Sequence, residues 1–182
     1  SNELLKKYIK EKANVEDEKT LNDCIIYNDT DSSYISVKPL VKAGLTFTDE
    51  NGKLTQAFHD EVQNIEDFLN NEIKIWGGKN LNSKDCRFIF KREVIADTGI
   101  FLQKKRYVMH ILDDEGIPMD KYKYTGVEVV RSTMPDAIKP HVKDIIETML
   151  STQSISKTNA VLDKTYKIFK DLPVEDITFV SG

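Results

Sequence analysis

Two short apolar runs separated by a polar turn are the strongest constraint that this sequence places on its fold. Residues 24–27 and 34–37 are rich in β-branched and aromatic side chains, which favour strands. Residues 28–32 between them are of the types that favour turns. The pattern therefore predicts a β-hairpin with two carboxylates, Asp29 and Asp31, at its tip.

Apolar residues at helical spacing predict two helices around this hairpin. A short helix is predicted over residues 4–9, and a longer one over residues 58–76. Thr55 can cap the start of the longer helix, and the glycine pair 77–78 can end it. The same spacing places Trp76 on the apolar face of that helix, which we expect to be buried.

The chain changes to a strand-like pattern after Arg87. Apolar runs alternate with turn-forming residues as far as Val130, which predicts an antiparallel meander. The predicted strands are residues 88–90, 94–95, 100–112 and 122–130, and the predicted turns are residues 97–99 and 113–118. From Thr133 the helical pattern returns, with Pro135 in the first turn, and a further helix is predicted over residues 157–169. The expected fold class is α+β: an antiparallel sheet with flanking helices.

Composition indicates an ordinary folded protein. Of its 182 residues, 40% are hydrophobic and 31% are charged, with a net charge of −4, whereas disordered chains have fewer apolar residues. No apolar run is long enough to cross a bilayer, so we expect a cytoplasmic protein without a membrane partner. Cys24 and Cys86 lack the spacing of a zinc or redox site and are interpreted as reduced thiols. The scattered histidines, His59, His110 and His141, are expected to have packing or surface roles.

The charges are unevenly distributed along the chain, and this matters for nucleic-acid binding. A net negative charge argues against a general phosphate-binding surface. Basic residues are nevertheless concentrated at residues 91–92 and 104–106. The sequence is therefore compatible with a local DNA-facing patch.

The two carboxylates of the predicted hairpin are suited to divalent cations. Mg²⁺ prefers a few carboxylates together with phosphate oxygens and water. Asp29 and Asp31 are two residues apart, so their side chains project along nearby lines from rigid strands. The same residues also suit a purely structural hydrophilic turn. Both interpretations stay open from the residues alone.

Three segments, in order along the chain, resemble motifs of family B DNA polymerases, most closely the bacteriophage replicative type. Residues 27–37, Tyr-Asn-Asp-Thr-Asp-Ser and a strand, resemble motif C, in which Gly usually occupies the position of Asn28. Residues 99–108 contain the Lys-Lys-Arg-Tyr signature that follows motif C in this family. Residues 123–135 resemble the element Lys-x-x-Gly-x-Glu-x-x-x-Ser-x-x-Pro, where the polymerase palm meets the thumb.

The resemblance to motif C implies specific roles for the hairpin tip. Asp31 would be the principal ligand of two metal ions and Asp29 a supporting acid, and both would be catalytic. The ions would be Mg²⁺, with Mn²⁺ as a substitute. Thr30 and Ser32 would shape the turn and lie near the primer terminus.

The resemblance of the basic segment implies contacts with primer-template DNA. Lys104, Lys105, Arg106 and Tyr107 would bind the duplex from its minor-groove side, and Arg131 would contact its backbone. In a continuous strand, alternation would place Lys105 and Tyr107 on one face and Lys104 and Arg106 on the other. The alternative interpretation is a solvated strand face, or a strand edge that lysine protects against aggregation.

The resemblance also implies that the chain is one part of a larger enzyme. Residues 1–132 would be the carboxyl-terminal part of the palm, with a helical insertion at about residues 38–85, and residues 133–182 the beginning of the thumb. The strand-like stretch 177–182 ends abruptly, which suggests a truncated chain.

Motif A, motif B and the exonuclease carboxylates are not recognisable in this sequence. The implied partners are therefore primer-template DNA, deoxynucleoside triphosphates and the missing amino-terminal portion of the polymerase, in the cytoplasm of a host cell if the source is viral. We expect the isolated chain to be inactive. The alternative is a noncatalytic duplex-DNA-binding module or a subunit of a split polymerase.

Overall fold

A computed structural model of the chain describes residues 2–29, 32–81 and 87–178. It confirms the α+β class, since helices accompany an antiparallel three-stranded sheet. The chain divides into two compact units, Ser1–Glu93 and Val94–Gly182. The predicted division between palm and thumb at residue 132 concerns correspondence with a polymerase, and it stays a prediction.

The first unit contains a two-stranded hairpin and four helices in its described part. These elements are α1 (Asn2–Ala13), α2 (Glu18–Asp23), β1 (Ile25–Asp29), β2 (Ser32–Ile35), α3 (Lys38–Lys42) and α4 (Gln56–Leu81). The predicted helix near the amino terminus and the predicted hairpin are confirmed. The short helices α2 and α3 were not predicted, because one or two turns give too few residues for a clear period.

The hairpin of the first unit rests on a helical core. Leu5, Tyr8, Leu40, Ile65 and Leu69 form a buried cluster, against which the apolar side chains of the hairpin strands pack. The Tyr8 hydroxyl donates a hydrogen bond of 2.8 Å to Glu61, which links α1 to α4. Burial and this hydrogen bond raise the pKa of Tyr8. The strand that carries Asp29 therefore packs, together with its partner strand, on a buried base.

Helix α4 confirms one predicted boundary and contradicts the other. The Thr55 hydroxyl accepts a hydrogen bond of 3.1 Å from the Phe58 amide, as predicted for the cap. The helix does not end at Gly77-Gly78 but continues to Leu81. Glycine costs a helix roughly 1 kcal/mol, and the penalty is tolerated where the backbone keeps helical angles. The expectation that Trp76 is buried was wrong, because this residue is 51% exposed.

The segment after α4 does not contain the predicted strand 88–90. Phe90 instead exchanges hydrogen bonds of 2.7 and 2.9 Å with the side-chain amide of Asn70 on α4. Two residues later, the Arg92 amide donates to the carboxylate of Glu66 at 2.8 Å. Helix side chains thus satisfy the backbone groups that strand pairing would otherwise use.

The second unit is built on an antiparallel meander, as predicted, with different strand boundaries. Its strands are β3 (Val94–Gln103), β4 (Arg106–Asp114) and β5 (Ile117–Thr125), in that spatial order. The turn over residues 113–118 is confirmed by the β4–β5 connection. The turn predicted over residues 97–99 was wrong, because β3 continues through it with irregular register and pairs Gly99 with Met109.

Two further boundaries in the sheet were wrong. The predicted strand 100–112 is interrupted by a tight turn at Lys104-Lys105. The predicted strand 122–130 ends at Thr125 and is followed by a 3-10 helix, Glu128–Val130. The chain can turn there because Gly126 adopts a positive φ of 60°.

Three helices of the second unit pack against its core. They are α5 (Lys139–Thr152), α6 (Ile155–Asp171) and α7 (Val174–Ile177). Helix α5 begins later than predicted, because the Pro135 carbonyl closes a turn with the amides of Ile138 and Lys139. The helix predicted over 157–169 is confirmed, whereas Ile177 is helical rather than strand-like, and residues 179–182 lie outside the described part.

The core of the second unit joins sheet, 3-10 helix and helices. Its buried residues are Val108, Val127, Val129, Met134, Ile138 and Leu150. Within the residues described, none of the helices combines the length and the apolar character needed to span a bilayer.

Candidate metal-binding hairpin and nucleic-acid interface

The predicted carboxylate hairpin has the strand pairing that its sequence implies. β1 and β2 are antiparallel, and Tyr27 pairs with Tyr34 with ring centroids 5.5 Å apart. Asp29 is the last residue of β1 and pairs with Ser32, the first residue of β2. The Ser32 hydroxyl donates a hydrogen bond of 3.2 Å to the Asp29 carbonyl, which fastens the two strand ends together.

Two of the predicted site residues, Thr30 and Asp31, lie outside the described residues. The roles predicted for them therefore stay predictions. Asp29, which is described, is half-buried at the strand end.

The hairpin fits the donor chemistry of a magnesium site only in part. Asp29 supplies a carboxylate, the ligand type that Mg²⁺ prefers. Over residues 2–29, 32–81 and 87–178, the structure contains no group of three or more His, Cys, Asp or Glu side chains that could hold a metal ion. A complete site would therefore need ligands beyond those described here.

The predicted DNA-binding lysines lie on a turn and not along a strand. β3 ends at Gln103, which pairs with Arg106 at the start of β4, and Lys104 and Lys105 connect them. Both lysine residues are exposed, and Lys105 has a positive φ of 61°. The predicted alternation of these residues between two sheet faces was wrong. The turn instead presents both residues at one end of the sheet.

Gly126 packs its backbone against this lysine turn. A Cβ atom added at Gly126 would lie far inside van der Waals contact with the Lys105 carbonyl oxygen. Its φ of 60° also favours glycine. Gly126 thus allows the end of β5 to approach the Lys104-Lys105 turn closely.

The two predicted DNA-binding arginines are brought together by Glu128, a residue of the motif at 123–135 for which no role was predicted. One carboxylate oxygen of Glu128 lies 3.5 Å from a guanidinium nitrogen of Arg106 and 3.1 Å from one of Arg131. The three side chains are 37%, 45% and 53% exposed for Arg106, Arg131 and Glu128. The spacing of three residues between Glu128 and Arg131 in the sequence is a signal for a local ion pair. The contact of Glu128 with Arg106 could not be predicted, because it depends on the fold.

Tyr107 has a different environment from its basic neighbours. It is 7% exposed, and its ring stacks on Phe101 with centroids 5.4 Å apart. In this arrangement the ring packs in the sheet beside the basic turn. The prediction that Tyr107 contacts DNA stays a prediction.

His110 joins all three strands of the second unit. Its Nδ1 lies 2.9 Å from Asp97 on β3, and its Nε2 lies 2.7 Å from Asp120 on β5. Burial opposes the charged ring, but the hydrogen bonds to Asp120 and Asp97 outweigh it and raise the pKa of His110. Both ring nitrogens face carboxylate acceptors, which is the pattern of a protonated imidazolium. This contact could not be predicted from the sequence pattern, because the strand register creates it.

Comparison with known proteins adds a relative but no family assignment. No protein-family model matches the chain. A DNA-directed DNA polymerase from Escherichia phage RB69 is 28% identical to it in an alignment 138 residues long that covers 69% of this chain. This similarity supports a DNA polymerase relationship. The chain spans only about 15% of the length of that polymerase.

Proposed function

We propose that this chain is a portion of a family B DNA polymerase, covering the carboxyl-terminal palm and the beginning of the thumb. In the intact enzyme it would take part in template-directed nucleotidyl transfer. The observation that carries the proposal is the similarity to the phage polymerase over 69% of the chain. The three motif-like segments, which occur in the order found in that family, support the finer assignment.

The carboxylate hairpin is proposed as part of the catalytic metal site. Asp31 and Asp29 would hold Mg²⁺, or Mn²⁺ in its place, with Asp31 as the principal ligand. Two such ions activate the attacking 3′ oxygen and stabilise the leaving phosphate when they are bound. The packed strands would fix the carboxylates, and Thr30 and Ser32 would lie near the primer terminus. Deoxynucleoside triphosphates and the missing amino-terminal portion would complete the site.

The lysine turn of the second unit is proposed as a surface for primer-template DNA. Lys104 and Lys105 are exposed on one turn, and Arg106 and Arg131 lie beside the same Glu128 carboxylate. Lysine and arginine side chains bind phosphates without reading base sequence, which suits an enzyme that copies any template. The predicted contact of Tyr107 with DNA would require access to a residue that is largely buried.

Primer extension tests the metal assignment. We expect the purified 182-residue chain with Mg²⁺ to be inactive, and synthesis to appear when the upstream portion of the same polymerase is added. In that mixture Asp31→Ala should abolish synthesis and Asp29→Ala should reduce it, because a metal ligand is lost. Glu11→Ala, which removes an exposed carboxylate on α1, is the matched control.

Three results would contradict these expectations. Extension by the chain alone would contradict its dependence on a partner, and unchanged synthesis with Asp31→Ala would contradict the metal role. Duplex binding without restored synthesis would instead favour the noncatalytic DNA-binding module.

Duplex binding as a function of salt tests the role of the lysine turn. We expect Lys105→Ala to weaken binding and to lower the slope of log affinity against log salt by about 1, since one phosphate contact is lost. Lys164→Ala removes the same charge from an exposed position on α6 and should leave the slope unchanged. Equal effects of the two substitutions would exclude a specific role for the turn.

A further inference from the structure

Glu128 is an acidic residue at the centre of the basic surface proposed for DNA. A single carboxylate oxygen contacts Arg106 at 3.5 Å and Arg131 at 3.1 Å. The two guanidinium groups are therefore directed toward one point. An anionic oxygen at that point forms an ion pair with each of them.

The Glu128 carboxylate occupies the kind of position that a phosphate oxygen would take. Phosphate and carboxylate are the two anions that guanidinium groups bind with matched geometry. Ion pairs as exposed as these are weak, because water screens them. A phosphate could therefore displace Glu128 at a small cost in binding energy.

We propose that Glu128 is an intramolecular competitor for a backbone phosphate, which holds Arg106 and Arg131 together and limits their affinity for nucleic acid. This inference rests on the proposed binding of primer-template DNA by the second unit. The bound state exchanges one anionic oxygen for another, so Arg106 and Arg131 are never left as adjacent cations without a counter-charge. A limited affinity suits a protein that must move along the duplex that it binds.

Binding of the full chain to a short labelled DNA duplex tests the competition. Glu128→Gln keeps the size of the side chain and removes its charge, so we expect about two- to fivefold tighter binding. The duplex affinity should fall more steeply with salt between about 50 and 200 mM, because stronger contacts of the arginines with phosphates release more counterions from the DNA. Unchanged or weaker binding would overturn the inference.

A matched control separates this effect from a change in net charge. Asp136 is an exposed acid of the same unit, and it pairs with Lys139 at 2.7 Å. Asp136→Asn makes the same charge change and should alter binding little. If it tightened binding as much as Glu128→Gln does, competition at Glu128 would be excluded.

A charge-conserving variant keeps the inference testable if Glu128→Gln folds poorly. Glu128→Asp retains the carboxylate but shortens its reach toward both arginines, so it should also bind duplex more tightly than the wild type. The gain from either substitution should disappear when Arg106 and Arg131 are both alanine. A gain that persists in that background would overturn the inference.

The same experiment distinguishes failure of the inference from failure of the proposed function. If Lys105→Ala weakens binding and Glu128→Gln does not strengthen it, the lysine turn stands and the competition is wrong. If Glu128→Gln strengthens binding while Lys105→Ala has no effect, the competition stands and the role of the turn is wrong. Absence of duplex binding by both the wild type and Glu128→Gln at low salt would contradict both.

Discussion

Gly126 is the residue on which the geometry of the lysine turn most directly depends. It combines a positive φ with a backbone approach to Lys105 that leaves no space for a Cβ atom. A larger side chain must therefore move the turn or the end of β5. The backbone conformation at Gly126 therefore determines how Lys104 and Lys105 are exposed on the turn.

We expect Gly126→Ala to lower the free energy of unfolding by about 2–4 kcal/mol, since it adds a steric clash to an unfavourable φ. Duplex affinity should fall as well, because the turn is displaced. Gly52→Ala is the control: Gly52 also has a positive φ, of 75°, but nothing lies within 4 Å of an added Cβ. Urea unfolding of both variants would test this, and equal losses would contradict a role for the close approach.

At the scale of elements, His110 connects the three strands of the second unit through a charge. The imidazolium contacts one carboxylate from each neighbouring strand and lies 4.7 Å, between centroids, from the ring of Tyr122. Since folding raises its pKa above the ordinary value of 6.5, the folded state binds this proton more tightly than the unfolded state. The stabilisation is complete below pH 6.5 and is lost as the pH rises through the folded pKa.

We therefore expect the stability of the second unit to decrease as the pH rises above 6.5 and through the folded pKa of His110. The decrease should be small because Asp120 is 91% exposed and water screens its part of the interaction. His110→Gln removes the titrating group, so that component of the decrease should disappear in the variant. Denaturant unfolding across this pH range would measure it, and identical pH profiles for both proteins would contradict the prediction.

The elements that were predicted correctly are those whose hydrophobic period or turn residues lie within one continuous segment. The hairpin around Asp29, the start of α4 after Thr55 and helix α6 follow from local period and turn chemistry. The predictions were wrong for segments whose structure depends on groups that are distant in the sequence. The predicted strand 88–90 is one example, because Asn70 takes its backbone hydrogen bonds.

The candidate sites show the same dependence on distant contacts. The turn at Lys104-Lys105 contains none of the residues that usually mark a turn, so it was not recognisable without the register of β3 and β4. The contact between Arg106 and Glu128 joins a strand to a 3-10 helix and is set by the packing of Val127 and Val129. Residue types were predictable at these sites, but their contacts were not.

At the scale of the whole molecule, each compact unit has a core of its own. The buried cluster of the second unit consists entirely of residues between Val108 and Leu150. The buried clusters of the first unit lie between Leu5 and Leu69. The proposed metal ligands and the proposed DNA-binding turn thus belong to separately packed parts of the chain.

We expect residues 94–182 to fold when they are produced alone, because their described core needs no side chain from the first unit. Circular dichroism should show mixed helix and sheet, and thermal unfolding should be cooperative. Val108→Asp, which places a charge in the core, should abolish the cooperative transition. A noncooperative transition for the unsubstituted fragment would show that the second unit depends on the first.

The exposed position of Trp76 provides a spectroscopic label for one half of the molecule. It is the single tryptophan of the sequence and is 51% exposed on α4. Selective excitation of indole fluorescence therefore reports on the first unit and leaves the second unit dark. A change in emission when metal or DNA is added would therefore show a response of the first unit, without any attached dye.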